Sequence, residues 1–417
     1  MRVATDDLVL GLNTLAALNA ANAVRPFDRR HDASVPCFFA GWPTSELPLQ
    51  VLGAHAALNA AALAHGDIRG RRGAVGVGLS LASAAALLSI HRTAKRAGDV
   101  YEAALTQGLG SGYREDVVLP EFPGADAADV HTFGAARMLR VRRRFAHHAD
   151  IAYGPAGRAN HLDVWTRGDL PADAKAPVLL QVPGGAWISG NKQGQAYPLM
   201  SHLAERGWVC VAMSYRLSPR ATWPDHIVDV KRALAWIKQH IAGYGGDPGF
   251  VAITGGSAGG HLSSLAALTP GEREWQPGFE DVDTSVAAAA PFYGAYDWLD
   301  TEHVGHRGLP GLVSKYVTKS RRSADPELYR RASPLYRVHA DAPPFLVSHG
   351  ANDSLIPVEQ GRLFAQKLRE VSTSPVVYAE LPGAQHAYDV FGSARANLAA
   401  ESVARFLGHV YGRYLRG

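Results

Sequence analysis

The 417-residue sequence predicts an α/β fold: a mostly parallel central sheet covered by helices on both faces, preceded by a helical N-terminal segment. Three observations carry that expectation. From about residue 145 onward, short apolar runs alternate with helical patterns, which is how a parallel sheet with crossover helices reads. One of these runs, 251–254, ends in Gly255-Gly256-Ser257-Ala258-Gly259 and passes directly into a helical stretch over 261–268, so strand, tight turn and helix follow without a spacer. Residues 1 to about 125, by contrast, are rich in alanine and poor in strand signals.

Taken in order, strands are expected at 178–182, 209–214, 251–254, 287–292, 345–348 and 376–381. Helices are expected between and after them at 229–241, 359–370 and 394–414, the last with apolar residues at three-to-four spacing. A hydrophobic share of 47% against 19% charged is enough to fill a large core, and the length exceeds one ordinary domain. The expected division is a helical segment over 1–125 and a catalytic domain over 126–417. A net charge of +4 is slight for this length and no recognition module accompanies it, which excludes a nucleic-acid partner. Two cysteines, Cys37 and Cys210, cannot build a disulfide framework, and Cys210 sits inside an apolar run that reads as a buried strand.

The N-terminal segment holds three apolar stretches. Residues 8–24, interrupted by Asn13, Asn19 and Asn22, and residues 47–65, carrying His55 and Asn59, read as amphipathic or half-buried helices. Residues 73–90 carry no charged residue, with Arg69, Arg71 and Arg72 before them and Arg92, Lys95 and Arg96 after. That length reaches a membrane-spanning candidate, but the composition is mostly alanine, glycine and serine. A soluble cap over the catalytic mouth and a membrane-associating segment both remain open. Asp6 and Asp7 stand where an export signal carries positive charge, so the N-terminus reads as uncleaved and the protein as cytoplasmic, with membrane-surface contact through residues 1–125 as the alternative. A second basic run, Arg137, Arg140, Arg142, Arg143 and Arg144, reads as a solvated face or a first strand rather than a headgroup patch.

The turn around Ser257 is a nucleophile elbow. A sharp strand-to-helix turn strains the backbone of its central residue, and glycines on both sides remove clashes with strand and helix. The helix N-terminus then directs free N–H groups and its dipole at charge developing beside the serine. A serine hydroxyl needs a base, and His386, in a turn just after the strand at 376–381, is the best placed of 18 histidines. A carboxylate must orient that base, and Asp353, in the loop after the strand at 345–348, fits the chain order Ser257, Asp353, His386. Asp389 and Glu359 are weaker rivals, the first too near the base in sequence and the second at a helix start. The glycine pair Gly184 and Gly185 closes the strand at 178–182 and, with the Ala258 N–H, supplies candidate donors to an oxyanion. Trp187 beside that loop is a candidate wall of the substrate pocket or a packed core aromatic. Clusters such as His147, His148 and Asp150 have the residue types of a metal site, and the chemistry asks for neither metal nor organic cofactor.

From about residue 145 to the C-terminus the chain resembles an α/β-hydrolase of the hormone-sensitive-lipase-like carboxylesterase group. The resemblance rests on Tyr215-Arg-Leu-Ser-Pro219, Gly245-Gly-Asp-Pro248 and Gly256-Ser-Ala-Gly-Gly260. It implies Ser257 as nucleophile, His386 as base, Asp353 as acid, and Gly184, Gly185 and Ala258 as oxyanion donors. Pro183 and Ala186 depart from that group's histidine and third glycine, and this pattern is closer to the branch of isoprenylcysteine methylesterases and actinobacterial lipase-like esterases. The expected activity is hydrolysis of short- to medium-chain or lipid esters through an acyl-enzyme. An amidase or peptidase with the same residues, and a non-catalytic binding protein on this scaffold, are the competing readings.

Overall fold

The computed structural model describes residues 5–64, 66, 68–119, 135–145 and 148–417. Eight strands form one sheet in the order β1-β2-β4-β3-β5-β6-β7-β8. They are β1 His148–Ala152, β2 His161–Trp165, β3 Ala176–Val182, β4 Val209–Met213, β5 Gly246–Gly256, β6 Ala288–Phe292, β7 Phe345–Gly350 and β8 Val376–Leu381. The first two are antiparallel additions at one edge, and β4 through β8 run parallel. Strands β3, β4 and β6 are buried at every position, because helices cover both faces and leave no polar side to alternate. This is an α/β-hydrolase fold, with all six expected strands in place.

Helices α1 Thr5–Val24, α2 Ser34–Glu46, α3 Pro48–Leu63, α4 Arg71–Lys95 and α5 Ala97–Leu109 precede the sheet. Helix α6 Ala135–Phe145 follows, then α7 Tyr197–Glu205, α8 Asp225–His240, α9 Ala258–Leu268, α10 Leu309–Leu312, α11 Pro326–Ala332, α12 Glu359–Val371 and α13 Ala394–Tyr414. The arginine run over 137–144 therefore lies on a helix, not on a first strand; Arg142 reaches Asp163 at 3.3 Å and Arg144 reaches Glu205 at 2.9 Å.

The packing boundary falls earlier than the compositional one near residue 125. Tyr101 and Leu105 of α5 are fully buried in the same cluster as Val377 of β8 and Val403 and Leu407 of α13. Burial of that apolar surface makes α5 part of the hydrolase core, while α1 to α4 pack mainly on one another. At the seam, a buried ion pair joins Glu46, the last residue of α2, to Arg395 in the first turn of α13.

Candidate functional site

Strand β5 stops at Gly256 and α9 starts at Ala258, leaving Ser257 alone in the turn with φ 59° and ψ −120°. That conformation is strained for a residue with a side chain, and the surroundings hold it there: the Ser257 N–H donates to Phe292 O at 3.0 Å and its carbonyl accepts from His261 N at 2.9 Å. The flanking glycines are obligatory. A Cβ at Gly255 would stand 2.5 Å from the Gly259 backbone, and one at Gly259 would collide with the Val182 carbonyl. The turn thus closes only because strand β3 and helix α9 can touch through bare backbone.

Asp353 and His386 come together. The carboxylate can only accept, so the 2.7 Å contact is His386 Nδ1–H donating to Asp353 Oδ2, which leaves Nε2 with its lone pair free of that bond. Asp353 Oδ1 accepts from the N–H groups of Leu355 at 2.9 Å and Ile356 at 2.8 Å. Burial raises the pKa of this carboxyl, but the charge and hydrogen bonds of the His386 and His349 imidazoles outweigh it and hold the group well below the usual carboxylate range. Gln385 locks the two loops: its Oε1 accepts from Ser354 N and from His386 N, each at 2.8 Å.

Tyr293 links the imidazole to the elbow. Its ring centroid lies 4.5 Å from that of His386, and a Cβ at Gly256 would stand 2.7 Å from its hydroxyl. That hydroxyl donates to Asp389, whose carboxyl burial pushes up in pKa, so Asp389 is engaged with Tyr293 rather than with the base. Glu359 opens α12 and pairs with Arg30 at 3.2 Å.

The glycine loop after β3 lies against the serine: a Cβ at Gly184 would come within 3.3 Å of Ser257 Cβ. The Gly184 N–H, however, donates to Gln195 Oε1 at 2.7 Å, while Gln195 Nε2 donates back to Gly184 O at 3.2 Å. Gly184 is therefore clamped by an amide. Gly185, Ala186 and Trp187 all have positive φ, at 127°, 53° and 60°, and the loop closes as Ile188 N and Ser189 N donate to Gly185 O at 3.0 and 2.9 Å. Trp187 is packed in the core. Its indole is 1% exposed, packs edge-on against Trp298, and donates to His261 Nδ1 at 3.3 Å. Burial lowers the His261 pKa to about 3, so that imidazole stays neutral, accepting from the indole and donating to Ala332 O at 2.7 Å. In the suggested metal cluster, His148 packs on Tyr244, Asp150 pairs with Lys192 at 2.8 Å, and His147 lies outside the described residues.

The N-terminal helices reach this site. Phe38 of α2 lies 5.9 Å from His386 between ring centroids, and Trp42 Nε1 donates to Ala387 O at 2.8 Å. Between α1 and α2, Arg29 donates to Ala351 O at 3.2 Å, and Asn352 Nδ2 donates to Val24 O at 2.8 Å. Sequence reasoning missed α2, Gln385, Gln195 and Tyr293. Gln385 had a signal, an amide immediately before the base; the other three act through contacts remote in sequence.

The fold defines the α/β-hydrolase class, and the relatives of this chain are esterases. Residues 163–368 match the BD-FAE family. The chain is 51% identical over 405 residues to "Probable carboxylic ester hydrolase LipM" of Mycobacterium tuberculosis, covering 96% of this chain and 94% of that protein. It is 28% identical over 230 residues to the isoprenylcysteine alpha-carbonyl methylesterase ICME of Arabidopsis thaliana, covering 53% and 52%. The solved structure of Thermogutta terrifontis esterase 2 phosphoramylated by tabun aligns with a TM-score of 0.53 at 25% identity, covering 63% of this chain and 94% of that one. The chain belongs to the LipM family of carboxylic ester hydrolases.

Proposed function

We propose that this carboxylic ester hydrolase is a serine carboxylesterase working through an acyl-enzyme. Ser257 Oγ attacks the ester carbonyl as His386 Nε2 takes its proton; the alcohol leaves with that proton, and water activated by the same imidazole releases the acid. Asp353 holds His386 in the tautomer that presents Nε2 and stabilises the imidazolium when it forms. The Gly185 and Ala258 N–H groups receive the oxyanion, with Gly184 fixing the loop through Gln195 instead of donating. Losing one such donor costs roughly a hundredfold to a thousandfold in rate.

The observations that carry this reading are the 2.7 Å Asp353–His386 hydrogen bond and the strained serine on a strand-to-helix turn. The phosphoramylation named for the Thermogutta relative supports it, because organophosphates label activated nucleophiles. The substrates are small-molecule or lipid esters, with short to medium acyl chains preferred. A fluorophosphonate should label the wild-type protein and not Ser257→Ala, and that substitution should lower kcat by about 10⁶-fold while the fold persists. An unlabelled wild type would favour a binding protein, and equal turnover of an acyl ester and its anilide would favour an amidase.

A further inference from the structure

Helices α1, α3 and α4 bury amides among apolar side chains such as Val9, Leu87 and Ile90, and turn further large apolar side chains outward. Their interior carries amides: Asn13, 1% exposed, donates to Asn59 Oδ1 at 2.6 Å and receives a bond back from Asn59 Nδ2 at 3.1 Å. Asn19 Nδ2 donates to Thr44 Oγ1 at 2.7 Å, and Ser83 Oγ bonds within its own helix to Leu79 O at 2.8 Å. The outward face carries Leu15, Leu18, Leu58, Leu63, Val75 and Leu81, with Leu15 69% and Leu81 67% exposed. Residues 8–24, 48–64 and 73–90 contain no Asp, Glu, Lys or Arg. Helix α12, on the catalytic half, shows the ordinary arrangement, with Arg362, Lys367, Arg369 and Glu370 outward and Phe364 and Leu368 inward.

The bundle also projects. Val24 at the end of α1 meets Asn352, and the starts of α3 and α13 line one cavity with Ala94 of α4, so these ends rest on the catalytic half. The opposite ends meet one another, where Asp6 accepts from Arg69 N at 3.2 Å and Asp7 pairs with Arg72 at 2.9 Å. Between those charged ends each uncharged run spans roughly 26 Å at about 1.5 Å per residue, close to the roughly 30 Å of a bilayer's hydrocarbon core. The helices touch closely through small residues: a Cβ at Gly76 would stand 2.9 Å from the backbone of Val9 and Leu10. Glycine contacts, interhelical amides and outward leucines are the packing used where lipid, not water, is the solvent.

We propose that α1, α3 and α4 form a membrane-embedded three-helix anchor whose outer face is covered by lipid acyl chains, with Arg92, Lys95 and Arg96 at the anionic headgroups beside the catalytic half. α2 then links the anchor to the site through Phe38 and Trp42. The anchor does not depend on the chemistry at Ser257.

Flotation of the full-length protein with phosphatidylcholine vesicles containing one-third phosphatidylglycerol tests this. The wild type should float and resist an alkaline carbonate wash, and Ser257→Ala should behave the same. The double variant Leu58→Glu/Leu81→Glu, changed only at exposed positions, should float at least about tenfold less, with unchanged circular dichroism and unchanged turnover of a dissolved acetate ester. Three results would overturn the anchor: a wild type that is monomeric without detergent and does not float, equal flotation of wild type and double variant, or a detergent-free dimer that the double variant dissociates, which would make a second copy the cover.

Discussion

The two halves of this molecule handle polarity in opposite ways. The sheet half buries charge and displays charge: Asp163 with Lys192, Asp229 with Arg216, and Lys231 all lie in or against its interior. The α1/α3/α4 bundle buries amides and displays leucine and valine. A buried ion is tolerable only where neighbours complete its hydrogen bonds, which a large core with many loop ends can do and three short helices cannot. Apolar content alone says little about what surrounds a helix; the side on which the amides sit says more.

The largest expected effect tests the sheet half. Asp353→Asn keeps the size of the side chain but gives His386 Nδ1 a partner that no longer enforces the productive tautomer, and kcat should fall about 10⁴-fold. A drop under about tenfold would mean that His386 is oriented by something else, with Gln385 and Tyr293 the contacts to examine. The next effect tests the seam. Glu46→Gln leaves the Arg395 guanidinium buried without its anion, and Nε and Nη2 of that arginine have no other hydrogen-bond partner among the described residues. The expected cost is about 3–5 kcal/mol, read by denaturant unfolding, and an unchanged midpoint would show that the halves separate before either unfolds.

Much of the sheet half was legible because its signals are local. A strand, a glycine turn and a helix are adjacent around Ser257, and Asp353 and His386 each follow a strand by a few residues. What was not legible lies in contacts across the chain. Helix α2 contains Pro36, Gly41 and Pro43, which hide a helical pattern, yet it places Phe38 on His386. The bond from the Gly184 N–H to Gln195 is likewise not announced by the glycine loop itself. Tyr101 looks from sequence like part of an alanine-rich segment, whereas its hydroxyl bonds Ser348 of β7 at 2.7 Å. Composition located a boundary near 125 because alanine-rich helices share a texture; packing divides them because α5 lies along β8 while α1 to α4 pack mainly on one another.

Truncating one leucine in each half sharpens that division. Leu105→Ala, in α5 and fully buried, should cost about 2–5 kcal/mol by loss of contacts and a residual cavity, whereas Leu18→Ala, 52% exposed, should change the melting temperature in detergent by almost nothing. Equal effects would join α5 to the bundle and erase the boundary drawn here.

The effect smallest at any one pH step concerns Lys231, buried in the sheet half with its ammonium donating to Thr269 O and, at 3.4 Å, to Thr284 Oγ1. Burial lowers its pKa to about 7, with Glu272 opposing the shift and Arg337 adding to it. The folded protein then releases this proton near pH 7, while the unfolded chain keeps it until about pH 10.4. Over that interval the unfolded state binds more protons, so stability should rise with pH by up to about 1.4 kcal/mol per unit from this group, and the contribution should be least favourable below pH 7. Lys231→Met removes the group without removing the stem that packs in the core. Its unfolding free energy should therefore gain on the wild type at low pH and lose that advantage towards pH 10, and parallel curves for the two proteins would mean that Lys231 remains charged inside, held by the Thr269 carbonyl, which would make the sheet half still more tolerant of buried charge than the comparison requires.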